Sequence, residues 1–308
     1  MIIDLVNTTT GKIEEALIAV RHRVGGPASG KVLTLVIVTD EVGQYDALRF
    51  SAEASQDSPS RILAVIRRGG EEPRLDAEVH VGDTGPGETV LMRMYGSLAQ
   101  HAESAVLPLL LPDTPVITWW PGEAPSRPGD EPLGHLAQRR VTDVTGNADP
   151  LDALTRLALA YRPGDTDLSW TRLTPWRSLL ASGLDKPHGA ITGIAIEAAF
   201  GNPSAVLLAS WLSERLEAPA EVAWSCGPGV TSVALETTTG RMSVTRPDGR
   251  VATLSRPGQP ERQVGLHRRP KAELIAEELR RLQPDEIYRE ALVGWAENVT
   301  LRVPAGVP

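Results

Sequence analysis

Side chains able to do chemistry are thinly scattered along these 308 residues. The nearest approach to a nucleotide motif is GGPASGKV (25–32), where Gly25, Gly30 and Lys31 have P-loop spacing. Such a loop cradles phosphates with backbone amides while its lysine reaches the outer ones. Here Val32 replaces the Ser or Thr that would hold magnesium. The context is also reversed, because a P-loop leaves a strand and opens a helix whose N-terminus faces the anion. This stretch follows a helical pattern and opens a strand, so it reads as a connecting loop. GPGVTS (227–232) lacks the third glycine of a dinucleotide fingerprint and runs into strand-like alternation, as a hairpin turn would. The six histidines, His22, His80, His101, His135, His188 and His267, contain no i,i+4 pair and no neighbouring nucleophile elbow. Asp165 and Asp167 in PGDTDLSW could share a metal or divide acid and base work, but read first as linker residues capping the next segment. Arg139, Arg140, Arg172 and Arg177 could hold a phosphate. With Asp143, Asp165 and Asp167 nearby, ion pairs at a domain junction are the plainer expectation.

Tryptophan is the residue out of proportion. The chain has seven, against two phenylalanines and four tyrosines, and Trp119, Trp120, Trp170 and Trp176 sit in or beside turns. Trp176 forms an i, i+3, i+4 face with Leu179 and Leu180 and reads as core. Trp119 and Trp120 cannot share that account, since successive strand side chains point to opposite faces. One ring is expected to pack inward and the other to serve a domain junction or a partner, for which tryptophan is a usual anchor.

Composition bounds what these residues can serve. An apolar fraction of 41% and a charged fraction of 23% are those of a folded globular chain. At about 150 residues per domain the length suggests two domains. No window approaches the roughly 18 apolar residues of a membrane span. MIIDLVNTTTGKIEEAL lacks the regions of a signal peptide, so a cytoplasmic location is expected. The one cysteine, Cys226, rules out a disulfide within the chain and any paired-cysteine zinc site. A net charge of −8 argues against broad nucleic-acid binding.

The elements that would position these residues fall into two styles. VLTLVIV (32–38) and RILAVIR (61–67) are apolar throughout, as strands covered on both faces are. Helical patterns lie over 13–20, 41–55 and 97–111, and EVHV (78–81) with TVLMRMY (89–95) flank the turn GDTGPGE. YRPGDTD (161–167) reads as a linker. After it come a strand (190–199), a helix (203–217), short alternating segments from 221 to 266 with an Asp-Gly turn in RPDGR, and two closing helices. The expected fold is an α/β N-terminal domain with a largely parallel sheet (1–165) and an α+β C-terminal domain with an antiparallel sheet (166–308).

ITWWPGEAP, PLGHLAQRRVTD (132–143), DPLDAL (149–154) and GDTDLSWTRLTPWRSLLA (164–181) closely resemble the OpcA family of glucose-6-phosphate dehydrogenase assembly proteins of actinobacteria and cyanobacteria. The similarity is strongest over 110–185. It implies a non-catalytic allosteric partner of glucose-6-phosphate dehydrogenase in the oxidative pentose phosphate pathway, with no cofactor or metal of its own. A homo-oligomer matched to the dehydrogenase's symmetry is compatible with that role. Partner contacts are expected at Trp119, Trp120, Pro121, Gly122, Glu123, Asp165, Asp167, Trp170, Arg172 and Arg177. Photosynthetic relatives are associated with a redox-active cysteine pair, which Cys226 alone cannot form. The rival reading is a sugar-phosphate or nucleotide-binding α/β enzyme or sensor, using loops at the carboxyl ends of the first domain's strands.

Overall fold

The computed structural model describes residues 2–24, 32–56, 58–70, 72–81, 87–185 and 189–298. The glycine–lysine stretch at 25–31, most of the turn at 82–88, and His188 lie outside them.

The chain opens with β1 (Ile2–Leu5), α1 (Thr10–Val24), β2 (Leu33–Thr39), α2 (Gln44–Ala54) and β3 (Ser60–Arg68). A hairpin, β4 (Arg74–Val81) and β5 (Glu88–Tyr95), follows and pairs antiparallel, as its sequence suggests. The helix expected over 97–111 is broken into α3 (Ser97–Gln100), α4 (Ala102–Val106) and a short tight turn at Leu107–Leu109. His101 leaves helical geometry at φ −119°, ψ 42°, and Pro108 cannot donate to a continuing helix. Then come β6 (Val116–Trp119), α5 (Pro132–His135), β7 (Arg139–Thr142), α6 (Pro150–Leu159), β8 (Asp165–Asp167), α7 (Leu168–Thr171) and α8 (Thr174–Leu184). The remainder is β9 (Ile191–Ala199), α9 (Pro203–Leu216), β10 (Ala220–Ser225), β11 (Val230–Thr237), β12 (Gly240–Thr245), β13 (Val251–Arg256), β14 (Gln259–Gly265), α10 (Lys271–Arg280) and α11 (Glu286–Asn298).

Eight strands form one sheet in the order β1-β4-β5-β3-β2-β6-β7-β8. The run from β5 through β3, β2 and β6 to β7 is parallel, with β4 and β1 added antiparallel at one edge. Its central strands are buried almost end to end, which is why they are unbroken apolar runs. Ile13, Leu17 and Val20 of α1 pack with Val36, Leu63, Val90 and Met92 on one face. Ala47 and Ala54 of α2 are buried, and α10 packs against α2.

Six strands form the second sheet, in the order β10-β9-β11-β12-β13-β14. It is antiparallel except for the pair β9 and β10. Its core is built by Ile194 and Ile196 of β9, Val233 and Leu235 of β11, and Val206, Leu208 and Leu212 of α9. Asn202 caps α9 by accepting the Ala205 N–H at 3.2 Å, and Pro203 follows where a missing donor costs nothing.

The chain forms two compact units of interleaved segments. The first holds residues 1–143, 162–166 and 270–284, and the second holds 144–161, 167–269 and 285–308. A single cut after 165 would place 144–161 and 270–284 with the opposite unit. No described helix is long and apolar enough to cross a membrane.

Candidate functional site

In the first unit the motif segment 115–125 is a strand end and the loop beyond it. Trp119 stands opposite Ile37 of β2 in the parallel ladder. Trp120 prolongs the pairing on the other side by donating its N–H to Val141 O at 3.0 Å. Alternation sends the two indoles to opposite faces. Both are covered, at 0% and 2% exposure. Of the two expectations for the second ring, a domain junction or a partner surface, its cover leaves no free face to meet a partner directly. Among the described residues the buried Trp119 Nε1 has no hydrogen-bond partner, so packing holds that ring.

The chain surfaces immediately afterwards. Pro121 is half-buried, and Gly122 and Glu123 are exposed. They line a cavity of about 550 Å³ with Thr39 and Asp40 after β2, Arg67 at the end of β3, and Lys271 opening α10. Val42, also in its lining, is 91% exposed, and Tyr45 in the first turn of α2 is 70% exposed. This rim is a candidate contact surface of the unit, a loop set on the ends of buried strands.

The expected linker 161–167 is a turn at 161–164 that runs into the last strand of the first sheet, β8. Asp165 and Asp167 are buried, not exposed, because the backbone there is pairing. Arg140 donates its N–H to Gly164 O at 2.9 Å, and the Thr142 hydroxyl donates to Thr166 O at 3.2 Å. Gly164 adopts φ +96°, and a Cβ there would stand 2.3 Å from Gln138 O, so no other residue fits.

Buried arginines hold the strands around it. Arg140 Nε is ion-paired to Asp165 Oδ1, and its other nitrogens donate to Ala137 O at 3.0 Å and Pro163 O at 2.6 Å. Burial pushes the Asp165 carboxyl above its ordinary value, against the pull of Arg140. Arg139 donates to Glu278 Oε2 at 2.7 Å and to Gln283 O at 2.9 Å. Asp143 pairs with Lys271 at 3.1 Å. All of these links lie within the first unit, and they occupy Arg139 and Arg140 with structural work.

In the second unit Asp167 caps α7. Its carboxylate accepts the Ser169 N–H at 2.8 Å and the Val144 N–H at 3.0 Å, as the capping reading expects. Trp170 is buried, donates Nε1–H to Asp285 Oδ2 at 3.0 Å, and packs against Tyr288 with ring centroids 6.0 Å apart. Half-buried Arg177 lies over the Trp170 ring at 3.9 Å and donates to Thr174 Oγ1 at 3.2 Å. Trp176 is core as expected, with the Arg246 guanidinium over its ring at 4.9 Å. Arg172 is half-buried.

The structure therefore divides the ten expected contact residues. Trp119, Trp120, Asp165, Asp167 and Trp170 are interior supports, while Pro121, Gly122, Glu123, Arg172 and Arg177 reach the surface in part or fully. Sequence reading missed Glu278, Lys271, Asp285 and Tyr288, whose roles come from pairings more than 100 residues distant. Among the described residues no group of three or more His, Cys, Asp or Glu could hold a metal ion.

A mostly parallel sheet followed by a mostly antiparallel one also occurs in solved structures. A 3-ketoreductase from Actinomadura kijaniata, solved with NADP, is 12% identical, covers 86% of this chain and 95% of its own, and superposes with a TM-score of 0.50. An oxidoreductase from Sinorhizobium meliloti is also 12% identical, with 86% of each chain covered and a TM-score of 0.44. Identities this low speak to the fold alone. Among curated proteins none matches the chain. The family model described as glucose-6-phosphate dehydrogenase subunit N-terminal domain matches residues 51–159, and the corresponding C-terminal domain matches 163–292. The chain belongs to this OpcA family of glucose-6-phosphate dehydrogenase subunits.

Proposed function

We propose that the chain is a non-catalytic cytoplasmic partner of glucose-6-phosphate dehydrogenase that raises the enzyme's affinity for its substrate. The observation that carries this reading is the match of both family domains, in order, along most of the chain. The placement of its titratable groups supports the non-catalytic part. Arg139, Arg140, Asp165 and Asp167 are committed to backbone and ion-pair partners inside the fold.

The mechanism is linkage. A partner that binds the dehydrogenase better in its high-affinity form shifts the population toward that form without touching substrate. Coupling of the usual size changes substrate affinity by roughly 5–150-fold, and substrate must tighten the complex by the same factor. The surface proposed for contact is Pro121–Glu123 with Val42 and Tyr45. Its two exposed apolar side chains lie in the turn after buried β2 and in the first turn of α2.

The test uses that reciprocity. The affinity of this chain for the dehydrogenase from the same organism is measured by titration with and without saturating glucose-6-phosphate. Tighter binding with substrate is expected. Equal affinities in the two conditions would remove the allosteric mechanism while leaving a scaffolding role, and no binding in either would remove the partner reading.

A further inference from the structure

The strands of the first sheet, taken without β1 and β4, have the order of a dinucleotide-binding sheet. Numbered from β2 along the chain, β5-β3-β2-β6-β7-β8 is the order 3-2-1-4-5-6, which reverses between β2 and β6. Folds of this order bind dinucleotides in the crevice at that reversal, with the pyrophosphate on the N-terminus of the helix after the first strand. The cavity lined by Thr39, Asp40 and Pro121–Glu123 occupies that place.

Its residues do not fit a dinucleotide. The turn from β2 into α2, Thr39-Asp40-Glu41-Val42-Gly43, has one glycine where the fingerprint needs three. Asp40 Oδ1 accepts the Gly43 N–H at 2.7 Å, so a carboxylate of the chain already sits on the amide at the helix entrance. Gly43 does not clear space for a ligand. A Cβ there would meet Thr39 Oγ1 at 2.9 Å and Asp40 Oδ1 at 3.2 Å, so its smallness makes room for the chain's own side chains. Asp46, in the first turn of α2, is itself paired with Arg49 at 2.8 Å. At the end of β3, where an arginine would accept a ribose 2′-phosphate, Arg67 is paired with Glu131 and Arg68 with Glu41.

We infer that this crevice keeps the shape of a dinucleotide site but is closed to dinucleotides by the Asp40 carboxylate, which holds the place a pyrophosphate would take. The anion-binding end of a helix is neutralised from within. The inference stands independently of the partner reading. If both hold, nicotinamide nucleotides act on the complex only through the dehydrogenase's own site.

The experiment titrates the full chain alone with NADP and NADPH to about 1 mM, following thermal stability and tryptophan fluorescence, both of which a specific ligand would move by mass action. No saturable response is expected. Inorganic pyrophosphate is then compared on the wild type, Asp40→Gly and Asp40→Asn. Asp40→Gly is expected to bind pyrophosphate about 10-fold more tightly than the wild type, since removing a charge at a helix end and freeing its amide act together. Asp40→Asn, which keeps the oxygen acceptor and loses only the charge, should gain less in the same direction, and it carries the test should the glycine variant fail to fold. Saturable binding of NADP or NADPH by the wild type would overturn the inference. So would the absence of any gain in whichever Asp40 variants fold.

Discussion

Residues 115–125 and 164–177 both carry the family's tryptophans, yet they treat them differently. In the first, two indoles are buried back to back across a strand, Trp119 with no polar partner among the described residues, and the chain reaches the surface within two residues. In the second, Trp170 is tied by hydrogen bond to Asp285, stacked beneath Arg177 and packed on Tyr288. The first motif is a rigid post beneath an exposed loop. The second is a polar-aromatic cluster that joins distant parts of one unit. A motif can therefore support an exposed loop through residues that never reach the surface.

Substitutions can separate the two. Trp119→Ala and Trp120→Ala should each cost about 3–5 kcal/mol, as large buried aromatics do, and Trp170→Ala a similar amount. Chemical denaturation of the purified chain measures this, and a loss under about 1 kcal/mol at either of the first two would show that the ring is not core. Arg139→Ala should be nearly as damaging, at about 3–5 kcal/mol, because it removes the buried guanidinium that meets the Glu278 carboxylate inside the fold. Asp285→Ala should cost about 1–3 kcal/mol, leaving the Trp170 N–H unsatisfied and also removing the carboxylate that accepts the Tyr288 N–H at 2.9 Å. An unchanged denaturation curve would mean that the second cluster is held by packing, like the first.

Much of the first sheet was legible, because strands covered on both faces need continuous apolar side chains and Leu33–Thr39 and Ser60–Arg68 supply them. The antiparallel unit was legible for a different reason, its alternation and the Asp-Gly turn before β13. Arg139–Thr142 and Asp165–Asp167 were not. Their polar side chains hide buried strands, and what makes burial tolerable is supplied from elsewhere, by Glu278 for Arg139 and by Arg140 for Asp165. No local pattern announces a partner 139 residues away. The same long reach explains why α10 joins the first unit, packing on α2. At the candidate site the sequence did not distinguish the buried Trp119 and Trp120 from the exposed Gly122 and Glu123, since exposure depends on the layers that cover a strand.

A smaller effect is expected at the β12–β13 turn, far from either motif. The backbone N–H groups of Arg250 and Val251, donating at 2.8 and 3.1 Å, hold the Asp248 carboxyl below its ordinary value. The stabilisation is therefore present above the ordinary carboxylate range and is lost as pH falls through the lowered value. Amide exchange at Arg250 and Val251 should quicken on acidification beyond the intrinsic pH dependence, and Asp248→Asn should remove that excess.

The central claim is that an exposed loop set on buried tryptophans couples this chain to substrate affinity in the dehydrogenase. Glu123→Arg reverses a charge on that loop at an exposed position, where stability should change by less than about 0.5 kcal/mol. The most direct measurement is the glucose-6-phosphate saturation curve of the dehydrogenase from the same organism, alone, with the wild-type chain, and with Glu123→Arg. The account predicts a KM lowered roughly 5–150-fold by the wild type at little change in kcat, with most of that effect lost in the variant unless its concentration is raised. A KM that the wild-type chain leaves unchanged would contradict activation. Full activation by Glu123→Arg at wild-type concentrations would contradict the place assigned to it.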